Sequence, residues 1–180
     1  LALCIPARMA ERSEMRLHLG CGNQYREGWI NVDRSRFVKC DLYFDLTMWP
    51  WPWADNSVDE IWCDQLLEHL TNTPRAIEEV NRILKPGGVF HGLVPYSGSL
   101  SAFVDPTHRV FFTERSFIYW DKNRPKDTQG YGFEFSKVEV SLVANSNTRL
   151  ARLRNLIPFR GLLKWFLWNM YDNVSFRLTK

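Results

Sequence analysis

The chain has 180 residues, 45% of them apolar, and 23 Lys and Arg against 20 Asp and Glu, for a net charge of +3. A chain of this length fills one hydrophobic core without disulfides or metals, and so small a positive balance, with no dense Lys/Arg run, leaves no electrostatic footprint for nucleic acid. Cys4, Cys21, Cys40 and Cys63 stand apart, with no CxxC pair and no His at ligand spacing, so neither a disulfide framework nor a zinc site is indicated and a reducing, cytoplasmic setting is expected.

Residues 1–14 read as a lead-in, because Arg8, Glu11, Arg12 and Glu14 break up any apolar core of a secretory signal. A first strand is expected over 15–19, MRLHL, and a second over 29–33, WINVD; the run 38–45, VKCDLYFD, contains a third. Residues 57–63, SVDEIWC, form a fourth, introduced by Asp55 and Asn56 as turn formers. Thr73 is expected to cap a helix starting at Pro74, with Ile77, Val80 and Leu84 on its buried side and Glu78, Glu79 and Arg82 on its wet side. Gly87 and Gly88 should end that helix through a left-handed C-cap. A fifth strand follows at 89–95, and then a loop over 96–112 rich in Gly, Ser and Pro, long enough to bind substrate.

A short helix from Thr113 to Trp120 precedes a strand at 135–143. Residues 149–171 read as a helical insertion broken at Pro158, and NVSFRLTK as the last strand. In that insertion Leu162, Leu163, Phe166, Leu167, Met170 and Tyr171 share a helical face, with Arg149, Arg152, Arg154, Arg160 and Lys164 nearby. Packing on the sheet or over the substrate cleft is the favoured use of this segment, ahead of peripheral membrane contact through 157–171 or a homodimer contact. Its apolar stretch is about half the ~20 residues of a membrane span.

The motifs LHLGCG, INVD, CDLYFDLT, DNSVDEIWCDQLLEHL and IEEVNRILKPGGVF follow one another over about residues 16–95. In that order and spacing the chain resembles the class I S-adenosylmethionine-dependent methyltransferases, in particular the small bacterial type 11 group. The resemblance implies one methyltransferase-like domain over 1–180, with a Rossmann-like, doubly wound α/β fold: a mostly parallel seven-stranded sheet with an antiparallel C-terminal strand. It also implies S-adenosyl-L-methionine as cofactor. Carried over by position, Gly20, Cys21, Gly22 and Asn23 form the loop against the methionine part, Asp33 takes the ribose hydroxyls, Asp45 and Leu46 flank the adenine, and Asp64, Gln65 and Leu66 line the methionine end. His18 stands where the family usually has an acid, and Gln24 where a third glycine often stands.

Between Gly22 and Asp33 there is room for a loop but not for a helix. A dinucleotide's pyrophosphate needs a helix N-terminus, and its ribose acid about 20 residues further on. S-adenosylmethionine has no phosphate, so the short spacing disfavours a NAD oxidoreductase and leaves a methyl-donor site intact. The donor is already activated, so alignment and desolvation are the main demands, with a base required only for an acceptor that must lose a proton.

His69 and His108 are the candidates for that proton transfer or for substrate contact, although His69 equally suits a locally bonded helix residue. His18 and His91 read as core or supporting residues, Glu68 as a helix-start charge, and Trp49, Trp51 and Trp53 as packing along the sheet edge before ligand stacking. No metal ligands are assigned. The acceptor implied is a small molecule, a sugar or a lipid-linked glycan. A catalytically weak cofactor-binding scaffold and an RNA methyltransferase are the alternatives.

Overall fold

A computed structural model describes residues 14–126, 129–145 and 149–180; most of the lead-in, Cys4 included, lies outside the described residues, as does the side chain of Arg149. Seven strands form one sheet: β1 (Arg16–Leu19), β2 (Ile30–Asp33), β3 (Leu42–Tyr43), β4 (Val58–Asp64), β5 (Leu84–Pro95), β6 (Lys137–Val143) and β7 (Asn173–Thr179). Their order is β3-β2-β1-β4-β5-β7-β6. The first five are mutually parallel, and β7 runs antiparallel between β5 and β6. The order reverses beside β1, which pairs with β2 on one side and β4 on the other, so the sheet opens a crevice beyond the carboxyl ends of these strands.

Alternation along the strands separates two faces. Leu17, Leu19, Ile61, Cys63, Phe90, Phe176 and Leu178 point into the main core, where they join Ala76, Ile77, Val80 and Ile83 of helix α1 (Thr73–Ile83). His18, Glu60, Trp62, His91 and Arg177 alternate with them and face the other way. There His91 Nε2 lies 2.8 Å from Glu60 Oε1, and its ring meets Trp62 edge-on at 4.9 Å.

Local chemistry moves several expected boundaries. Asn72 rather than Thr73 caps α1, its side chain accepting from Arg75 N at 3.1 Å, while the Thr73 hydroxyl turns inward to Leu67 O. The glycine pair does not end α1. Pro86 forces Lys85 out of the helical region, Leu84 is already extended, and Leu84 to Gly88 belong to β5. Glu79 is not on the wet side but 1% exposed. It accepts Arg82 Nη2 at 2.7 Å, Arg82 Nε at 3.1 Å and Trp51 N at 2.7 Å, while Arg82 also donates to Trp51 O and Trp53 O. This hub ties α1 to the Trp-Pro segment, whose Trp51 and Trp53 are core residues, as expected of packing aromatics.

From Thr113 the chain makes turns and only a single 3-10 turn at Ile118–Trp120, and the 96–112 loop carries the short helix α2 (Ser101–Val104). The 149–171 segment breaks near Pro158 as expected, into α3 (Arg149–Asn155) and α4 (Arg160–Leu163). Its apolar face does not pack on the sheet. Met170 is buried, but Leu162, Trp165, Phe166, Leu167 and Trp168 are exposed, Phe166 by 78%. The segment is anchored instead by polar contacts, Arg154 to Asp172 and Lys164 to Glu114.

Candidate active site

The β1–β2 connection contains no helix: residues 20–29 are turns and extended chain. A buried side chain of β2, Asn31, organises this loop. Its Oδ1 accepts Arg26 N at 2.8 Å and its Nδ2 donates to Arg26 O at 2.9 Å, while Asp41 accepts both Asn31 N and Nδ2. His18, where the family usually has an acid, reaches the same amide, with Nδ1 3.2 Å from Asn31 Oδ1, and burial lowers its pKa. The Arg26 guanidinium then lies 4.2 Å over the Trp62 ring.

Gly20 and Gly22 both have positive φ, 63° and 48°. The Gly20 backbone also packs closely on Leu66, whose Cδ1 would have to move from a Cβ standing 2.8 Å away. Gly22 N donates to Asp33 Oδ2 at 2.8 Å and Ser35 N to Asp33 Oδ1 at 2.8 Å, which fixes the carboxylate at the mouth of the loop with lone pairs to spare. Asp45 is held in the same manner by Thr47 N and Thr47 Oγ1 at 2.9 and 2.8 Å, and these bonds depress its pKa.

Between these groups lies a cavity of about 270 Å³. Of the expected cofactor residues, Gly20, Asp33, Asp45, Leu46, Gln65 and Leu66 line it, and the reading missed Arg34, Phe44, Thr47, Leu70 and Thr107. Arg34, Phe44 and Thr47 each adjoin a residue that the motifs did pick out, whereas Thr107 arrives from the distant 96–112 loop. Cys21, Gly22, Asn23 and Asp64 lie outside the lining. Cys21 is buried, and burial followed by the nearby Asp33 charge pushes its thiol up to about 11. Gly22 contributes through Asp33, Asn23 is exposed, and Asp64 accepts Gln24 Nε2 at 3.4 Å, drawing the loop toward β4. Gln65 itself has a φ of 53° and is set by Gln65 N donating to Leu93 O at 3.0 Å.

His69 lines the cavity; His108 does not. The His108 ring sits behind His69 at a centroid distance of 4.8 Å, with Nδ1 on Ala102 O at 2.9 Å. Glu68 is no helix-start charge. It is fully buried in a single 3-10 turn, Leu67–His69, and neither carboxylate oxygen accepts a hydrogen bond; burial pushes its acid up to about 8.

Residues 21–91 match the model of a methyltransferase-domain family. A dimethylglycine N-methyltransferase of Parasynechococcus marenigrum (strain WH8102) is 30% identical over 84 residues, 47% of this chain and 30% of that protein, so the match spans under a third of the curated relative. Among solved structures, an S-adenosylmethionine-dependent methyltransferase from Archaeoglobus fulgidus superposes with a TM-score of 0.67 at 16% identity, covering 96% of this chain and 89% of that one. A structure of a Haloferax volcanii complex that contains the Trm112 methyltransferase activator gives 0.61 at 17% identity, covering 96% and 85%. At these identities the structural likeness establishes the fold. Among the described residues no helix is long and apolar enough to cross a membrane.

Proposed function

Starting from a chain whose residues 21–91 carry a methyltransferase-domain signature on a methyltransferase fold, we propose that it binds S-adenosyl-L-methionine in the 270 Å³ cavity and transfers the methyl group to a sugar-type acceptor, lipid-linked or free. The carrying observation is the acceptor set: two carboxylates, Asp33 and Asp45, pinned by loop N–H groups in one cavity with the apolar Phe44, Leu46, Leu66 and Leu70. This set suits a ribose diol beside a flat base and offers no helix N-terminus for a phosphate.

The cofactor, when bound, supplies a methyl group on a sulfonium already primed for in-line displacement. Asp33 accepts from the diol through its remaining lone pairs, and Gly20, packed against Leu66, keeps the backbone close enough for a ligand to lie against it. Gln65 and Leu66 at the end of β4 exclude water from the methionine end. His69 lines the cavity with Thr107 on the side left for the acceptor, and burial lowers its imidazole's pKa.

An acceptor with a lipid tail is favoured by the surface next to that side. From His108 the chain leads through Ala102 to Phe103, which stacks on Phe111 at 4.7 Å and meets Trp168 at 5.8 Å in an exposed aromatic patch, and Trp165 and Phe166, a few positions before Trp168, are exposed as well. Such a patch suits peripheral contact with a membrane interface.

Isothermal titration with S-adenosylmethionine and with its demethylated product, followed by labelled-methyl transfer to a panel of free and lipid-linked sugars, tests the reading. Saturable binding that Asp33→Asn weakens, with label passing to a member of the panel, is the expected result. Binding without transfer to any acceptor favours the weak-scaffold alternative, and no binding overturns the reading.

A further inference from the structure

Beside the cavity, the 96–112 loop folds back on the turn after β4. Arg109 N and Val110 N both donate to Glu68 O, at 2.7 and 3.2 Å, and this brings His108 Nε2 to 4.0 Å from Glu68 Oε1. One ligand-capable atom from each of Glu68, His69 and His108 lies within 4.8 Å of the other two. The Glu68 carboxylate is 0% exposed and both its oxygens lack a hydrogen-bond donor, which is costly for a group that the fold has drawn so completely from water.

The two imidazoles are held in a particular tautomer. His108 Nδ1 donates to Ala102 O at 2.9 Å, which leaves the Nε2 lone pair on the Glu68 side. His69 Nδ1 lies 2.9 Å from Thr107 Oγ1, and that hydroxyl donates its own proton to Asp105 Oδ1 at 2.7 Å. His69 therefore donates from Nδ1 as well, and its Nε2 also carries a lone pair. Outer-nitrogen bonds to a carbonyl or to a hydroxyl–carboxylate relay are how metal-ligating histidines are oriented. A separation of 4.0 Å is too long for a hydrogen bond and about half an ångström beyond the roughly 3.4 Å between two ligand atoms of a tetrahedral ion, so a small side-chain rotation closes the three groups onto one ion.

We propose that Glu68, His69 and His108 bind one divalent transition-metal ion of the zinc, cobalt or manganese class just behind the cavity wall at His69, the one of the three that lines the cavity, with a coordination position on the cavity side for an oxygen of the methyl acceptor. One carboxylate with two imidazoles is the donor set that such borderline ions take, and three protein ligands leave room for an exogenous one. The ion binds the acceptor hydroxyl and eases loss of its proton to solvent. The oxygen lone pair then forms the new bond to the methyl carbon as the sulfur–carbon pair returns to sulfur, leaving a neutral thioether. The acceptor part rests on the methyl-transfer reading; the ion site does not.

Chelator-stripped protein is titrated with Co²⁺, read by its visible d–d absorption, and with Zn²⁺ and Mn²⁺ by calorimetry, alongside Glu68→Gln and His108→Gln variants whose folding is checked by circular dichroism. S-adenosylmethionine binding is measured on the same samples. The expected result is one equivalent of Co²⁺ bound, weakened at least tenfold in whichever variants fold and in both if both do, with cofactor affinity changed less than twofold by metal removal. Absence of Co²⁺, Zn²⁺ and Mn²⁺ binding in folded wild-type protein overturns the ion site, as do cobalt bands that a folded variant leaves unaltered. Metal binding that follows this pattern in protein that does not bind S-adenosylmethionine leaves the ion site standing and removes the methyl-transfer reading.

Discussion

Two buried carboxylates stand on different elements of the fold, Glu79 in α1 and Glu68 in the turn after β4, and their surroundings are opposite. Burial alone would raise the Glu79 acid, but Arg82 and Trp51 N–H supply donors that hold it below the ordinary value. Glu68 has the burial without the donors. A buried carboxylate whose two oxygens both accept hydrogen bonds is a fastening; a buried carboxyl with neither oxygen partnered has been left available to something from outside the chain.

The sharpest way to break this contrast is to remove each carboxylate. Glu79→Ala takes away the buried acceptor of Arg82 and Trp51 N, leaving Arg82 only the exposed Asp55 and the Trp51 and Trp53 carbonyls, and is expected to cost about 2–3 kcal/mol in urea unfolding. Glu68→Gln in metal-free protein should stay within about 1 kcal/mol of wild type. An equal loss at both positions would erase the distinction. The acid limb sharpens it further. A carboxyl with a depressed folded pKa contributes stability above its unfolded value, 4.5 for Glu79, and loses it as pH falls through the folded one. Wild type should therefore lose stability more steeply than Glu79→Gln as pH drops below about 4.5, read from unfolding free energies across that range.

Next in size are effects confined to the cavity. Asp33→Asn removes a charged acceptor and should weaken S-adenosylmethionine binding by roughly tenfold to a hundredfold in calorimetry, with a smaller loss of stability. Gly20→Ala combines a positive φ with a Cβ against Leu66 and should cost about 1–2 kcal/mol in unfolding as well as cofactor affinity. The smallest effect on the fold belongs to the exposed tail. Trp165→Ala with Trp168→Ala should leave the unfolding midpoint within the roughly 0.5 kcal/mol typical of surface changes, yet lower co-flotation with anionic lipid vesicles.

The sequence carried those parts of the molecule whose cause is local. Short apolar runs ending at turns or acidic residues located the strands, and the short count between Gly22 and Asp33 announced a loop in place of a helix. What it could not show depended on contacts between distant segments. Glu79 occupies a helix position that looks wet until the Trp-Pro segment folds over it. Glu68 looks like a helix-start charge until Arg109 and Val110 close on its carbonyl. Thr107 enters the cavity from a loop nearly forty positions beyond His69, and no spacing rule links the two. Gly87 and Gly88 misled because the glycine signal for a helix end is strong, and Pro86 had already stopped the helix upstream.

The placement of β7 between β5 and β6 also bears on how the chain reaches this state. β1 to β5 are all made from the first 95 residues, yet the free edge of β5 is answered only by Asn173–Thr179, with Val89 paired to Thr179 and Pro95 to Asn173. Pairing across so long a stretch of chain is slow to find, and an unpaired edge carrying Phe90 is a template for wrong partners in the meantime. Refolding should accordingly show a late, concentration-independent phase in which β7 docks, in competition with concentration-dependent association of open edges, so yield on dilution from denaturant falls as protein concentration rises.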